Sequence, residues 1–229
     1  MTSPSRRYVV HYQPKVSLGR ASGAAESRII GHEALIRQRY DTVLISPGAI
    51  FAGMEGSNLH GLLMETSAFV LEEACRVLEG GRSLSVSINI PPSMLTDGEF
   101  IDLLIDRAPS TGGMTLEIME TAGPPIPTMV QACRRLERSG YRISMDDFGE
   151  GESNLVRLIA LEPKEVKLDA KLLAFPAGRR IMRSLTAVIQ ETGASVCVEG
   201  VETEEDHALA CESGASSGQG YFYGIPGTL

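Results

Sequence analysis

Glu33, Asn89, Glu117, Asp146 with Asp147, Lys167, Glu199 and Gln219 share one property: each stands where a short apolar run stops. The segments are Gly31-His32-Glu33-Ala34-Leu35, Ser87-Ile88-Asn89, Leu116-Glu117-Ile118-Met119-Glu120, Met145-Asp146-Asp147-Phe148-Gly149, Lys167-Leu168-Asp169, Val198-Glu199-Gly200-Val201-Glu202 and Gly218-Gln219-Gly220. Carboxylates gathered in one mouth repel one another, and protons or cations must settle the excess charge. Lys167 alone cannot neutralise such a set. Hard divalent ions, Mg²⁺ or Mn²⁺, favour carboxylate, amide and water oxygens over thiolate. Adjacent aspartates can serve two ions, Asp146 bridging them and Asp147 binding only the second. Two ions about 3.5 to 4 Å apart clamp the attacking and leaving oxygens of an in-line phosphoryl displacement. The chemistry indicated is hydrolysis of a phosphate ester.

Such a cluster needs a scaffold that brings strand ends to one place. Short β-rich runs, near Tyr8 to Gln13, Arg28 to Leu35, Leu84 to Asn89, Met114 to Ile118, Tyr141 to Asp146, Glu165 to Leu168, Ser195 to Glu199 and Gly218 to Phe222, alternate with helically spaced apolar residues. The helical sets are Leu62 to Val77, Ile101 to Ile105, Met129 to Leu136, Leu155 to Ile159 and Ile181 to Ile189. A last helix opens on a capping box of Thr203 and Asp206. This order predicts parallel crossovers and a closed, TIM-like (β/α)8 barrel, whose chemistry gathers at the carboxyl ends of the strands. An open doubly wound sheet is the runner-up. No helix-length segment separates the first two runs, so that pair is expected to be antiparallel, joined by the polar loop around Gly19 to Ser27.

The composition agrees. At 229 residues, with 43% hydrophobic and 22% charged residues, the chain can bury a sizeable core. Its formal charge of −8 repels a phosphate backbone and argues against a nucleic-acid polymer as partner. No apolar run has the length of a signal peptide or a membrane span, and the chain reads as cytoplasmic. Cys75, Cys133, Cys197 and Cys211 lack C-x-x-C spacing and read as buried free thiols. His11, His32, His60 and His207 share no ligand spacing. Asp147-Phe148-Gly149 imitates a kinase metal motif, but no Gly-rich loop or H-R-D segment accompanies it.

With these residues in hand, the sequence resembles the EAL-domain phosphodiesterases of bacterial cyclic di-GMP signalling. The resemblance runs from Tyr12-Gln13-Pro14 to Gln219-Gly220-Tyr221, so residues 1–229 read as a single domain. Glu33-Ala34-Leu35 is the naming motif; its order with Asn89, the Glu117 and Glu120 pair, Asp146-Asp147-Phe148-Gly149, Lys167, Glu199-Gly200-Val201-Glu202 and Gln219-Gly220 makes the likeness specific. It implies a TIM-like barrel with its first strand reversed, and cleavage of one phosphodiester bond of cyclic di-GMP to linear pGpG with two Mg²⁺ or Mn²⁺ ions. By the same resemblance, Glu33, Asn89, Glu117 and Asp146 hold the first ion and Asp146, Asp147 and Glu199 the second. A water between the ions is the nucleophile, with Lys167 and Glu199 as catalytic groups. Gln13, Leu35, Arg37 and Gln219 contact the substrate, Arg37 suiting a phosphate through its planar fork. Glu120 anchors the loop after the fifth strand, and Glu202 stands behind the metal ligands. The resemblance alone suggests a homodimer, and with no receiver, PAS or GGDEF segment recognisable in the sequence, regulation is expected from expression, oligomerisation or a separate protein.

The loop after the paired aspartates departs from the family pattern. Gly149-Glu150-Gly151-Glu152-Ser153-Asn154 stands where Gly-Thr-Gly-Tyr-Ser-Ser is usual, so two carboxylates replace a hydroxyl and an aromatic. Pro91 stands where serine is common, and Ala170-Lys171 where Arg-Ser is frequent. These changes remove none of the expected ligands. Glu150 and Glu152 are what favours an alternative reading, a catalytically quiet cyclic di-GMP receptor or protein-interaction module.

Overall fold

The computed structural model describes residues 7–19, 27–41, 43–52, 56–109, 112–149 and 155–229, apart from the side chains of Arg7 and Ser57. The chain opens with two long strands, β1 (Arg7–Ser17) and β2 (Ile29–Tyr40), and a short β3 (Val43–Ile45). Then come β4 (Val86–Ile90), β5 (Met114–Ile118), β6 (Arg142–Met145), β7 (Glu165–Asp169), β8 (Ser195–Glu199) and β9 (Ser217–Gln219). The helices are α1 (Pro47–Phe51), α2 (Gly56–Glu79), α3 (Gly98–Asp106), α4 (Ile126–Arg138), α5 (Leu155–Leu161), α6 (Pro176–Glu191) and α7 (Glu204–Glu212). Strands β2 and β4 to β9 pair in parallel, in order around a ring that β1 closes between β9 and β2, while β3 hangs outside on β2. The ring is therefore the expected TIM-like barrel of eight strands.

The reversal of the first strand is also present. β1 runs antiparallel to both neighbours, with Gln13 opposite Glu33 and Lys15 opposite Gln219. Both long strands continue past the ends expected from the sequence, because reciprocal pairing along the hairpin outweighs the weak strand propensity of Pro14, Lys15 and the Arg37 to Arg39 segment. The loop joining them, residues 20–26, lies outside the described residues.

Local signals set the helix ends. Asp97 accepts a hydrogen bond from the Phe100 amide to start α3, and Thr203 with Asp206 forms the expected capping box on α7. Along each strand the side chains alternate between two environments. Val86, Ile88 and Ile90, Leu116 and Ile118, Ile143 and Met145, Val166 and Leu168, and Val196 and Val198 belong to the buried apolar core. They share it with Leu71, Ala74 and Leu78 of α2, Phe100 and Leu104 of α3, Met129 and Leu136 of α4 and Met182 and Ile189 of α6. The intervening residues, Ser87, Thr115, Glu117, Ser144, Lys167 and Ser217, are polar and equally buried. The apolar core is thus the shell between barrel and helices, and the barrel interior is polar. Most barrels of this kind pack bulky branched side chains there. Cys133 and Cys197 are buried as expected, whereas Cys75 and Cys211 are only half-buried, and all are free thiols.

The eighth barrel strand, β9, ends at Gln219, short of the Phe222 expected from its apolar pattern. Gly220 turns the chain so tightly against Val201 that a Cβ there would lie 2.1 Å from the Val201 carbonyl oxygen. The tail is locked in that position by the Phe222 amide donating to the same carbonyl, and farther on by Gly227 bridging Tyr12. Gly220→Ala is therefore expected to destabilise the fold by about 1–3 kcal/mol. The measurement is urea unfolding, read as a lower midpoint at unchanged slope.

Candidate active site

Each strand end delivers its polar residue to one mouth, and Lys167 occupies the middle. Its ammonium lies 2.8 Å from Asp146 Oδ1, 2.9 Å from Glu117 Oε2, 3.0 Å from Glu199 Oε2 and 3.3 Å from Glu33 Oε2. With 1% of Lys167 exposed, these charges meet away from bulk water. Glu33 is held on both oxygens: Asn89 Nδ2 donates to Oε1 at 2.6 Å, and Gln219 Nε2 donates to Oε2 at 2.6 Å. Gln219 Nε2 also reaches Gln13 Oε1 at 3.2 Å, tying β1 to the opposite side of the ring seam.

Asp146 and Asp147 show how neighbours in sequence come to serve one site. Successive strand residues point to opposite faces, but β6 ends at Met145, and Asp147 turns left-handed with φ +51°. Aspartate tolerates that conformation better than most residues. The Asp146 amide is held by the Ile118 carbonyl and the Phe148 amide by the Lys167 carbonyl, which fixes the turn on both flanks. As a result Asp146, Asp147 and Glu199 each offer a carboxylate oxygen, all within 4.8 Å of one another. Glu199 Oε1 is buried and accepts no hydrogen bond among the described residues. An all-oxygen donor set with such an unpartnered oxygen fits a hard divalent ion.

The remaining expected residues are placed less uniformly. Leu35 lines a cleft of about 480 Å³ with Phe51, Leu59, Leu63 and Met119, and Glu33, Asn89, Asp146, Lys167 and Glu199 form its polar end. Gln13, Gln219, Glu202 and Tyr221 line a smaller cavity of about 260 Å³ on the other side of Glu33 and Glu199. Arg37 is half-buried but lines neither, and its guanidinium donates to the Ile36 carbonyl at 2.8 Å. Glu120 is half-buried just past β5, also away from both cavities; the loop it is expected to anchor, with Glu150 and Glu152, lies outside the described residues. His32 is used structurally, its Nδ1 lying 2.9 Å from Ser83 Oγ.

Lys15 escapes a search of strand ends. It is 7% exposed inside the barrel, 3.6 Å from Glu117 Oε1 and 2.5 Å from Glu165 Oε1. The signal that could find it is period two: Gln13 faces the mouth, so Lys15 faces the same interior one layer down.

The crowding of carboxylates around few cations shifts their proton affinities. Burial, with repulsion from Glu117, Glu199 and Glu33 added, pushes Asp146 up to about 9 in spite of Lys167. Burial likewise raises Glu199 to about 7, with Lys167 opposing it and Glu33 and Glu117 adding repulsion. Glu117 moves the other way: burial would raise it, yet Lys167 and Lys15 hold it below its ordinary value. For Lys167, burial disfavours the charge, and Glu117, Glu33, Glu199 and Asp146 overcome it to hold the ammonium well above its ordinary value.

A carboxyl whose pKa is raised by folding keeps its proton in the folded state after the unfolded chain has lost it, so stability falls with pH between the two values. Lys167, raised from above 10, adds no slope in that window. His32, held below its ordinary value by burial, opposes the decline below about pH 6.5, so the metal-free protein is expected to lose stability most clearly from about pH 7 to about pH 9, and Asp146→Asn should remove that part of the decline. Urea midpoints across that range check it. A midpoint that rises with pH in the parent contradicts the assignment.

The EAL domain family matches residues 4–226 of this chain. Among curated relatives, the bifunctional diguanylate cyclase/cyclic di-GMP phosphodiesterase MucR of Pseudomonas aeruginosa is 30% identical over 236 residues, covering 96% of this chain and 33% of that protein. The cyclic di-GMP phosphodiesterase RocR of the same organism is 29% identical over 230 residues, 96% of this chain and 57% of RocR. This chain thus spans only a part of those relatives' length. Among solved structures, an EAL domain protein from Listeria monocytogenes EGD-e superposes with a TM-score of 0.84 at 28% identity, covering 96% of this chain and 88% of that one. The PaMucR phosphodiesterase in its c-di-GMP complex gives 0.82 at 28% identity, with 97% and 92% covered. Matched almost from end to end, and carrying the family's motifs at the ends of its barrel strands, the chain belongs to the EAL domain family.

Proposed function

We propose that this chain is a single-domain, metal-dependent phosphodiesterase that opens cyclic di-GMP to linear pGpG. The observation that carries the reading is the ring of carboxylates around Lys167, with the Asp146, Asp147 and Glu199 oxygens converging and Glu199 Oε1 unpartnered. The cyclic di-GMP phosphodiesterase activity named for MucR and RocR supports the choice of substrate. So does the pair of cavities that meet at Glu33 and Glu199, since a dinucleotide has two bases to place.

In this reading Glu33, Asn89, Glu117 and Asp146 hold one Mg²⁺ or Mn²⁺ ion, and Asp146, Asp147 and Glu199 hold the second. Bound ions supply the Lewis acidity that activates water and screens charge on the phosphate oxygens. Asn89, whose Nδ2 is committed to Glu33, has Oδ1 left to give. Glu199, a carboxylate lining the mouth beside these ligands, is placed to take a proton from the attacking water. Lys167, whose ammonium sits among these carboxylates, would donate to the water or to a phosphate oxygen. Gln13, Leu35 and Gln219 form the walls against which the substrate is positioned, and Arg37 swings from the Ile36 carbonyl to a phosphate. Glu202 and Glu120 support the ligands and the loop behind them. The exposed apolar face of α5, with Leu155, Val156 and Ile159, supports association with a second copy or a regulatory protein.

No helix among the described residues is long and apolar enough to cross a membrane, which is compatible with action on a cytoplasmic second messenger. The experiment is release of pGpG from cyclic di-GMP by the purified chain with Mn²⁺. Glu33→Ala and Asp146→Ala are each expected to lower turnover by more than about a hundredfold, since even residues behind metal ligands cost up to that much. Arg37→Ala should chiefly raise KM, by about tenfold. Substrate bound but left intact by the parent would select the receptor reading instead, and Asp146→Ala as active as the parent would overturn the ligand set.

A further inference from the structure

Below the carboxylate ring, the barrel interior continues into a line of alternating charge whose lower members, Lys15 and Glu165, the proposed reaction does not use. Glu117, fully buried, meets Lys167 through Oε2 at 2.9 Å and Lys15 through Oε1 at 3.6 Å. Lys15 is itself braced by Glu165, 2.5 Å away. Lys15 and Glu165 line a polar cavity of about 200 Å³ together with His32, Thr115, Arg142 and Ser195, residues near the amino ends of their strands and away from the catalytic mouth. The order Glu165, Lys15, Glu117, Lys167 therefore runs through the barrel from the far end to the metal-binding residues.

We propose that Lys15 is a positioning residue for the metal site, holding Glu117 from below so that its other oxygen faces the mouth. The inference rests on the reading of Glu117 as a metal ligand. Two observations carry it. Lys167 divides one charge among four carboxylates, so it cannot by itself secure the orientation of Glu117. The lower oxygen of Glu117 has neither solvent nor a hydrogen-bond donor among the described residues, so the Lys15 ammonium 3.6 Å away is the charge that offsets the cost of burying it there. Lys15 can reach that place only because β1 is reversed. On an antiparallel strand the residue that follows the mouth-facing Gln13 by two positions descends into the barrel, where a parallel strand would rise out of it. Glu165, two residues before Lys167 on parallel β7, is its counterpart from the other direction.

The test is Mn²⁺ affinity of the metal-depleted protein, read from the free-ion electron paramagnetic resonance signal, with urea unfolding in parallel. Lys15→Met is expected to weaken Mn²⁺ binding by about ten- to a hundredfold, and Lys15→Arg to restore most of it. Lys15→Met also strands Glu165, so Lys15→Met/Glu165→Gln is the decisive variant. It removes both charges at once, which a fold tolerates far better than losing one partner. Its expected behaviour is parent-like unfolding with Mn²⁺ affinity still reduced about tenfold or more. Parent-like Mn²⁺ affinity in that double variant would overturn the inference, leaving Lys15 as a mere counterion of Glu165. A parent that binds no Mn²⁺ overturns the metal-site reading and this inference together.

Discussion

One ammonium, buried among four carboxylates, is the interaction on which the rest of this structure depends. Moving charges out of water costs several kcal/mol each, and their mutual attraction returns that cost only when the geometry is good. Lys167 satisfies the condition for Glu117 and Asp146, at 2.9 and 2.8 Å, but its one charge cannot satisfy the whole ring. The surplus appears as protons retained on Asp146 and Glu199. A mouth built in this way is a source of strain in the fold, and it is electrostatically ready for added cations. Stability has to come from elsewhere, from the shell of Val, Ile, Leu and Met between the strands and the helices.

That division of labour explains the side-chain alternation along every strand. One face of strands β4 to β8 packs into the apolar shell shared with α2, α3, α4 and α6, which fixes these strands, and the other face inherits that rigidity and presents polar groups. Each contributing strand carries its own part of the candidate site, so the carboxylate cluster is positioned by the packing of the whole shell and not by any single loop. The exception is Asp147, which leaves the strand alternation through a left-handed turn and joins Asp146 on the same side.

The site was legible in the sequence wherever an apolar run ends abruptly in a carboxylate or amide, as at Glu33, Asn89, Glu117, Asp146, Glu199 and Gln219. The barrel followed from the order of elements, and the reversal of β1 from the missing first helix. Three features escape this kind of reading for physical reasons. Lys15 follows a proline in the middle of a strand, and its ion pairs with Glu117 and Glu165 lie about 100 and 150 positions away, beyond any local pattern. The end of β9 is decided by the close approach of Gly220 to Val201, a tertiary contact, while Tyr221-Phe222 alone read as strand. The polar interior is visible only when Ser87 with Asn89, Ser144 with Asp146 and Glu165 with Lys167 are read as alternate positions of one face. Charge is informative chiefly through its placement: the acids that end the apolar runs gather around Lys167 in one mouth.

The seam between β1 and β9 has a consequence for how the molecule assembles. Lys15 pairs with Gln219 across a separation of some two hundred residues, the most remote strand contact in the ring. Closing so large a loop is entropically the most demanding step in forming the barrel. Gln219, which holds Glu33 and reaches Gln13 across that seam, is brought into place by the same closure. Completing the ring and completing the mouth are therefore one event: the Gln13–Gln219–Glu33 link exists only once the first and last barrel strands have met.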